Sequence, residues 1–171
     1  MFQIAKNEPA IQVDFYLRET YDRRYVEELL DVKEQLVSLN LSKMPVEDED
    51  LKVISKFFNL EVLNLNNTGI TGNGLKSLRP LEKLRSLSLS GTAISTSALR
   101  QIAGIKSLEE VFVWNTSVSP EDAKTLQKEF PHVRWEIGFV PDSEEVLKLN
   151  PPILKNKAQI LRSGEKVVLK H

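Results

Sequence analysis

Apolar residues recur along this chain at a fixed spacing of 24 positions. Segments beginning at Leu36, Leu60, Leu84 and Leu108 each open on an apolar triad: Leu36, Leu39, Leu41; Leu60, Leu63, Leu65; Leu84, Leu87, Leu89; Leu108, Val111, Val113. A β-branched residue follows at the eleventh position of each, as Val46, Ile70, Ile94 and Val118. The back half then carries apolar residues three apart: Leu51, Ile54, Phe57; Leu75, Leu78, Leu81; Leu99, Ile102, Ile105; and, with the last one displaced, Ala123, Leu126, Phe130. Alternation at the end of the triad suits a short strand with one buried face. The three-apart spacing puts its residues along one side of a helix. Ser119-Pro120-Glu121-Asp122 is a strong helix start, with a serine cap, proline in the first turn and acids at the positive end of the dipole; Ser95 and Thr71 stand at the same offset. Each unit thus reads as strand, turn, helix, turn. Neither half buries its apolar face alone, so successive units must stack. The expected fold is an α/β solenoid, with a parallel sheet on the concave face and helices on the convex one.

The same frame fades at both ends. Twenty-four residues before Leu39 and Leu41 stand Phe15 and Leu17, and Val26, Leu29 and Leu30 give segment 25–30 an apolar helix face. Residues 1–35 therefore read as an N-terminal segment with a divergent, more polar capping unit. Trp135 and Ile137 fall on the strand offsets after the fourth unit, so 36–139 are repeats plus a closing strand. Residues 140–171 break the frame with Pro141, Pro151-Pro152 and a turn at Ser163-Gly164 between two apolar runs. A lone hairpin is not stable in water, so this β tail is expected to be the start of a truncated following domain.

The units resemble the bacterial leucine-rich repeat, L-x-x-L-x-L-x-x-T-x-I-T-x-x-x-L-x-x-L. The matching stretches are Thr68-Gly69-Ile70-Thr71, Thr92-Ala93-Ile94-Ser95 and Thr116-Ser117-Val118-Ser119, and the resemblance covers about 15–139. A narrower likeness lies in Val111-Phe112-Val113-Trp114-Asn115-Thr116-Ser117-Val118, Gly138-Phe139-Val140-Pro141-Asp142 and Leu149-Asn150-Pro151-Pro152. These resemble a family of membrane-tethered proteins of Bacteroidetes and planctomycetes, built of a c-type cytochrome domain, leucine-rich repeats and a chitobiase-like C-terminal β domain. The resemblance implies that this chain is the repeat section with the start of the β domain, in a periplasmic or membrane-associated parent. No Cys-x-x-Cys-His motif is present, so any haem would belong to another domain of that parent, and no cofactor is expected in this chain.

Composition narrows the function classes. The net charge is −1 and cysteine is absent. Without a basic excess there is no counterion release to drive nucleic-acid or anionic-membrane binding. Without cysteine there is no disulfide, thiolate zinc site, iron–sulfur cluster or thiol nucleophile. No apolar run is long enough to span a bilayer, and the first residues lack a signal-peptide core.

What remains is a surface. Strand residues pointing away from the core form the concave face, which is small and polar in the middle units: Ser38, Asn40, Asn64, Asn66, Ser86, Ser88, Ser90. In the fourth unit it becomes Phe112 and Trp114, flanked by Glu109 and Glu110, and the first unit is expected to add Tyr16 and Arg18. Aromatics beside polar groups serve as anchors for a protein partner. The expected partner-binding set is therefore Tyr16, Arg18, Asn40, Asn64, Ser88, Glu110, Phe112 and Trp114. The partner is a protein or a neighbouring domain of the parent chain. Alternatives are a carbohydrate stacked on the rings, or a structural spacer in which the tail folds over Phe112 and Trp114. Thr68, Thr92 and Thr116 form a ladder better suited to bonding turn backbone than to function. Glu47-Asp48-Glu49-Asp50 lacks the glycine and ligand alternation of a calcium loop and sits at a helix start. Gly72-Asn73-Gly74 is a turn and not a nucleotide fingerprint. The histidines are His132 and His171, and no nucleophile elbow, His-Glu-x-x-His helix or phosphate loop occurs. A non-catalytic scaffold is expected.

Overall fold

The computed structural model describes residues 10–138. They form one six-stranded sheet whose strands lie side by side in chain order, every pair parallel. The strands are β1 (Ile11–Asp14), β2 (Leu36–Asn40), β3 (Val62–Asn64), β4 (Ser86–Ser88), β5 (Glu110–Phe112) and β6 (Arg134–Glu136). From β2 onward the register follows the repeat, with Leu39, Leu63, Leu87, Val111 and Trp135 in one row across the sheet. All three members of the triads in the second and third repeat units are fully buried. They join Val46, Ile70 and Ile94 and the back-half residues in a single continuous core. That arrangement removes every coil's apolar side from water only when a neighbour is present on each side.

The back halves are tighter than α-helices. Besides α1 (Arg23–Glu28), α2 (Leu51–Ile54), α3 (Thr96–Leu99) and α4 (Pro120–Glu129), 3₁₀ turns cover Arg18–Thr20, Leu29–Val32, Asp48–Asp50 and Leu75–Leu78. The strict three-residue spacing explains this, since three residues per turn is the 3₁₀ period. Only the fourth unit, where Phe130 is displaced by one place, has the three-then-four spacing of a full α-helix, and there α4 runs ten residues. Its start is as expected: the Ser119 hydroxyl accepts from the Asp122 N–H while the Asp122 carboxylate accepts from the Ser119 N–H. Ser95 caps α3 in the same way, through the Ala98 N–H. Thr71 does not cap anything. Its N–H and hydroxyl both donate to Asp48 of the preceding coil.

The first coil departs from the 24-residue frame. Val13, not Phe15, lies opposite Leu39, and Asp14 opposite Asn40, with a shift in register between Ile11 and Gln12. Phe15 instead holds the place of Leu41: its N–H donates to the Asn40 carbonyl at 3.0 Å, as Leu41 N–H does to Asn64 at 2.9 Å. Two extra residues between the first and second coils move everything before them. Leu17, expected in the core, is 67% exposed. The helix of this coil is as expected, with Val26 buried and Leu29 and Leu30 packed against the core.

The coils of β2 to β5 turn off their strands through a left-handed residue, at Lys43, Asn67, Gly91 and Asn115, one coil apart. Asparagine and glycine are the residues that tolerate this region best. The threonine ladder locks the same turn: Thr68, Thr92 and Thr116 donate to the carbonyls of Leu65, Leu89 and Val113 in their own units. At Gly91 a Cβ would also sit 2.3 Å from Asn67 Oδ1. Gly91→Ala is therefore expected to cost about 1–2 kcal/mol. Gly104→Ala, where a Cβ meets nothing within 4 Å, should change stability by no more than about 0.5 kcal/mol. Urea midpoints of the two variants test this.

Candidate functional site

The sheet face turned away from the core is ordered in columns. One runs Asp14, Asn40, Asn64, Ser88, Phe112, Glu136. Beside it lies Ser42, Asn66, Ser90, Trp114, a register carried past the strands by bonds from the N–H of Lys43, Asn67 and Gly91 to the carbonyls of Asn66, Ser90 and Trp114. Where small side chains give way to large ones, between the Ser88–Ser90 coil and the Phe112–Trp114 coil, a step forms. The step is a cleft of about 420 Å³ lined by Asn66, Asn67, Ser88, Ser90, Gly91, Phe112, Trp114 and Asn115.

The two rings meet edge to face, with centroids 6.4 Å apart at 76°. Trp114 is 50% exposed. Its main chain is held from below, where the backbone N–H of Trp114 donates to Ser90 Oγ at 3.1 Å. Its ring is held from the side, where Gly138 comes so close that a Cβ there would lie 3.1 Å from Trp114 Cγ. An exposed ring fixed this way loses little entropy on binding.

Several polar groups around the rings are committed to the backbone. Asn64 Oδ1 accepts from Asn66 N–H at 3.0 Å, and Asn66 Oδ1 accepts from Ser90 N–H at 2.7 Å. The charged groups are paired coil to coil. Arg85 makes two bonds to Glu109, each of 3.0 Å, which hold that carboxyl below its ordinary pKa. Arg134 reaches Glu110 at 2.6 Å and Glu136 at 3.0 Å.

The expected partner residues divide into two groups. Ser88, Phe112 and Trp114 line the cleft, Asn64 lies opposite Ser88 in the same column, and Glu110, two residues before Phe112 on β5, is paired with Arg134 and does not line it. Tyr16, Arg18 and Asn40 do not belong to it. They line a separate depression of about 390 Å³ with Phe15, Lys43 and Asn67. Tyr16 and Arg18 are also not on a strand, because the two-residue offset of the first coil places them after β1, with Arg18 in a 3₁₀ turn. The 24-residue extrapolation missed Asn67, Gly91 and Asn115 of the cleft. The sequence signal for them was the Asn, Gly, Asn series at the eighth position of each unit, which marks a left-handed turn. The expected cover of Phe112 and Trp114 by 140–171 lies outside the described residues.

The acidic segment is structural. Asp50 is buried against Arg23, with Oδ1 to Nε at 2.6 Å, and its other oxygen accepts from Glu47 N–H. Beside it the Tyr21 hydroxyl, buried and with no partner among the described residues, is pushed up to about 12 by burial and the Asp50 charge. Asp48 binds the turn of the next coil. No His, Asp and Glu group among the described residues is arranged to hold a metal ion, and no described helix is long and apolar enough to cross a membrane.

Comparison with known proteins agrees with this architecture. The family model for the Leucine Rich Repeat matches residues 59–81. No curated protein matches the chain. Among solved structures, an internalin (inlF) from Listeria monocytogenes is similar, with a TM-score of 0.52 at 18% identity. The match covers 67% of this chain and 31% of the internalin chain, so this chain spans under a third of that protein. The fold is that of a leucine-rich-repeat solenoid.

Proposed function

We propose that this chain is a non-catalytic docking scaffold that binds a protein or a neighbouring domain on its sheet face, with Phe112 and Trp114 as the anchor. One observation carries the proposal: a half-exposed tryptophan, its ring flanked by Gly138 and its backbone N–H bonded to Ser90, stands at the edge of a cleft on an otherwise small and polar sheet face. Rigid aromatic anchors in a partly enclosed site supply most of the energy of a protein interface. Leucine-rich-repeat domains in general mediate protein–protein contacts, which supports the same conclusion. From the stretches around Trp114 and Gly138, we propose further that the scaffold belongs to a larger bacterial membrane-tethered, cytochrome-like protein, periplasmic or membrane-associated, whose haem sits in another domain.

The experiment compares wild type and Trp114→Ala in parallel affinity enrichment, with folding followed by thermal melting. Truncation should reduce capture of the specific partner at least about tenfold, as loss of a hot-spot tryptophan does, while the melting temperature moves little. An identical partner profile for both proteins would remove this site.

A further inference from the structure

The turn Gly72-Asn73-Gly74 plays no part in the docking face, yet Asn73 is the chain's only asparagine followed by glycine. That pair has a chemistry of its own. The main-chain nitrogen of the glycine can attack the asparagine side-chain carbon, because no Cβ on the second residue stands in the way. Every other asparagine in the chain precedes a residue with a side chain. Asn73 is also exposed to water, which the later steps consume.

Both reacting groups are tied into the Asp48 network. The Gly74 N–H donates to Asp48 Oδ1 at 3.2 Å. The Thr71 hydroxyl gives its proton to Asp48 Oδ2, which leaves its oxygen to accept, and Asn73 Nδ2 donates to that oxygen at 3.1 Å. Attack needs the Gly74 nitrogen free of its proton and the Asn73 amide swung onto it, so both ties must be given up. The Asp48 carboxylate is a further obstacle, since a negative charge beside the nitrogen opposes loss of its proton. We propose that Asn73 is a site of spontaneous conversion to aspartyl and isoaspartyl residues, held in check by Asp48 and Thr71 and released when this junction between coils opens.

The reaction needs only water. Gly74 N yields its proton to solvent and bonds to Asn73 Cγ; the Cγ–Nδ2 bond breaks and the nitrogen leaves as ammonia, protonated by solvent. Water then opens the cyclic imide. Opening at Cγ leaves an ordinary aspartyl residue, whereas opening at the main-chain carbonyl routes the backbone through the side chain and adds one methylene to it. Either product faces Thr71 Oγ1 with an acceptor in place of a donor and sets a second negative charge near Asp48. The turn has no slack for the extra methylene: a Cβ on Gly72 would lie 2.4 Å from Ala98 Cβ, and one on Gly74 2.4 Å from the Asp48 carbonyl. Opening thus permits the reaction, and the reaction opposes closing.

The test incubates the full chain as wild type, Thr71→Ala, Asp48→Ala and the longer-armed control Asn73→Gln in mildly alkaline buffer. Peptide mass spectrometry follows the exchange of NH₂ for OH at this position, with backbone fragmentation separating the two products. Circular dichroism checks that each variant is folded, and a parallel set in urea gives the unrestrained rate. Folded wild type is expected to convert at least about tenfold more slowly than the unfolded chain, and the two network variants several-fold faster than wild type while still folded. Converted wild type, separated by anion exchange, should unfold at lower urea than the unconverted protein. Thr71→Ala, which keeps the Thr71 N–H bond to Asp48, carries the comparison alone if Asp48→Ala does not fold. No conversion at Asn73 in urea overturns the site. Equal rates in folded and unfolded wild type, or folded variants no faster than wild type, overturn the restraint, and an unchanged urea midpoint after conversion overturns its coupling to the junction.

Discussion

Leu87→Ala is expected to lose about 2–5 kcal/mol of stability, the range for truncating a leucine inside a packed core. Leu87 has no exposed surface. It lies in the middle of the sheet, with Leu63 of the preceding strand and Val111 of the following one in direct register. The coils meet through these rows, so a cavity at Leu87 weakens two interfaces together, and neither neighbour can move toward the gap without leaving its own partner. In a stacked array stability is close to a sum of coil and interface contributions, and a defect at the centre separates the two ends. The urea transition should therefore shift to lower denaturant and broaden as the two halves uncouple. Ser88→Ala, one residue further along the same strand on the outer face, should stay within about 0.5 kcal/mol of wild type. If Leu87→Ala and Ser88→Ala gave equal transitions, the continuous leucine interior would be wrong.

The middle of the molecule was legible because one physical requirement is repeated there without change. A strand with Leu63 inward and Asn64 outward forces its neighbour to place Leu87 inward and Ser88 outward, and a periodic sequence satisfies that at each step. The first coil has no such check. Extrapolating by 24 residues put Phe15 opposite Leu39, whereas two additional residues put Val13 there; Tyr16 and Arg18 moved off the sheet as a result. Helix type was legible in hindsight, since a strict spacing of three is already the 3₁₀ period. Phe112 and Trp114 were identified as outward-facing aromatics from alternation alone. The cleft beside them was not, because it depends on the left-handed turns at Asn67, Gly91 and Asn115 and on which amide oxygens the backbone consumes. Contacts between coils were the least legible, since residues such as Asp48 and Gly72 have no local reason to be associated.

Asp48→Ala carries the largest polar effect expected, about 2–4 kcal/mol, because one carboxylate organises the turn of the following coil. Oδ2 accepts from the N–H and hydroxyl of Thr71, and Oδ1 from Gly72 N–H at 3.1 Å and Gly74 N–H at 3.2 Å. The turn is shaped to reach it. Gly72 has φ +99°, and a Cβ there would lie 2.4 Å from Ala98 Cβ of the coil beyond. At Gly74 a Cβ would lie 2.4 Å from the Asp48 carbonyl. Three consecutive coils are thus joined through Asp48, Gly72 and Ala98, and without the carboxylate the turn's N–H groups face a gap. Burial alone would raise the pKa of Asp48, but the Thr71 hydroxyl and the N–H groups of Gly74, Thr71 and Gly72 outweigh it and hold the carboxyl below its ordinary value. A depressed folded pKa gives stability that is complete above the unfolded value of about 3.9 and is lost as pH falls through the folded one. Asp48→Asn keeps one oxygen but turns an NH₂ toward donors, so at pH 7 it too should be destabilised, by about 2 kcal/mol. Protonating wild-type Asp48 removes the same charge. Stability measured by urea unfolding should therefore differ between wild type and Asp48→Asn at pH 7, and the gap should narrow as pH falls below about 4. A gap of constant size from pH 7 down to pH 2.5 would mean that shape, and not charge, holds the turn.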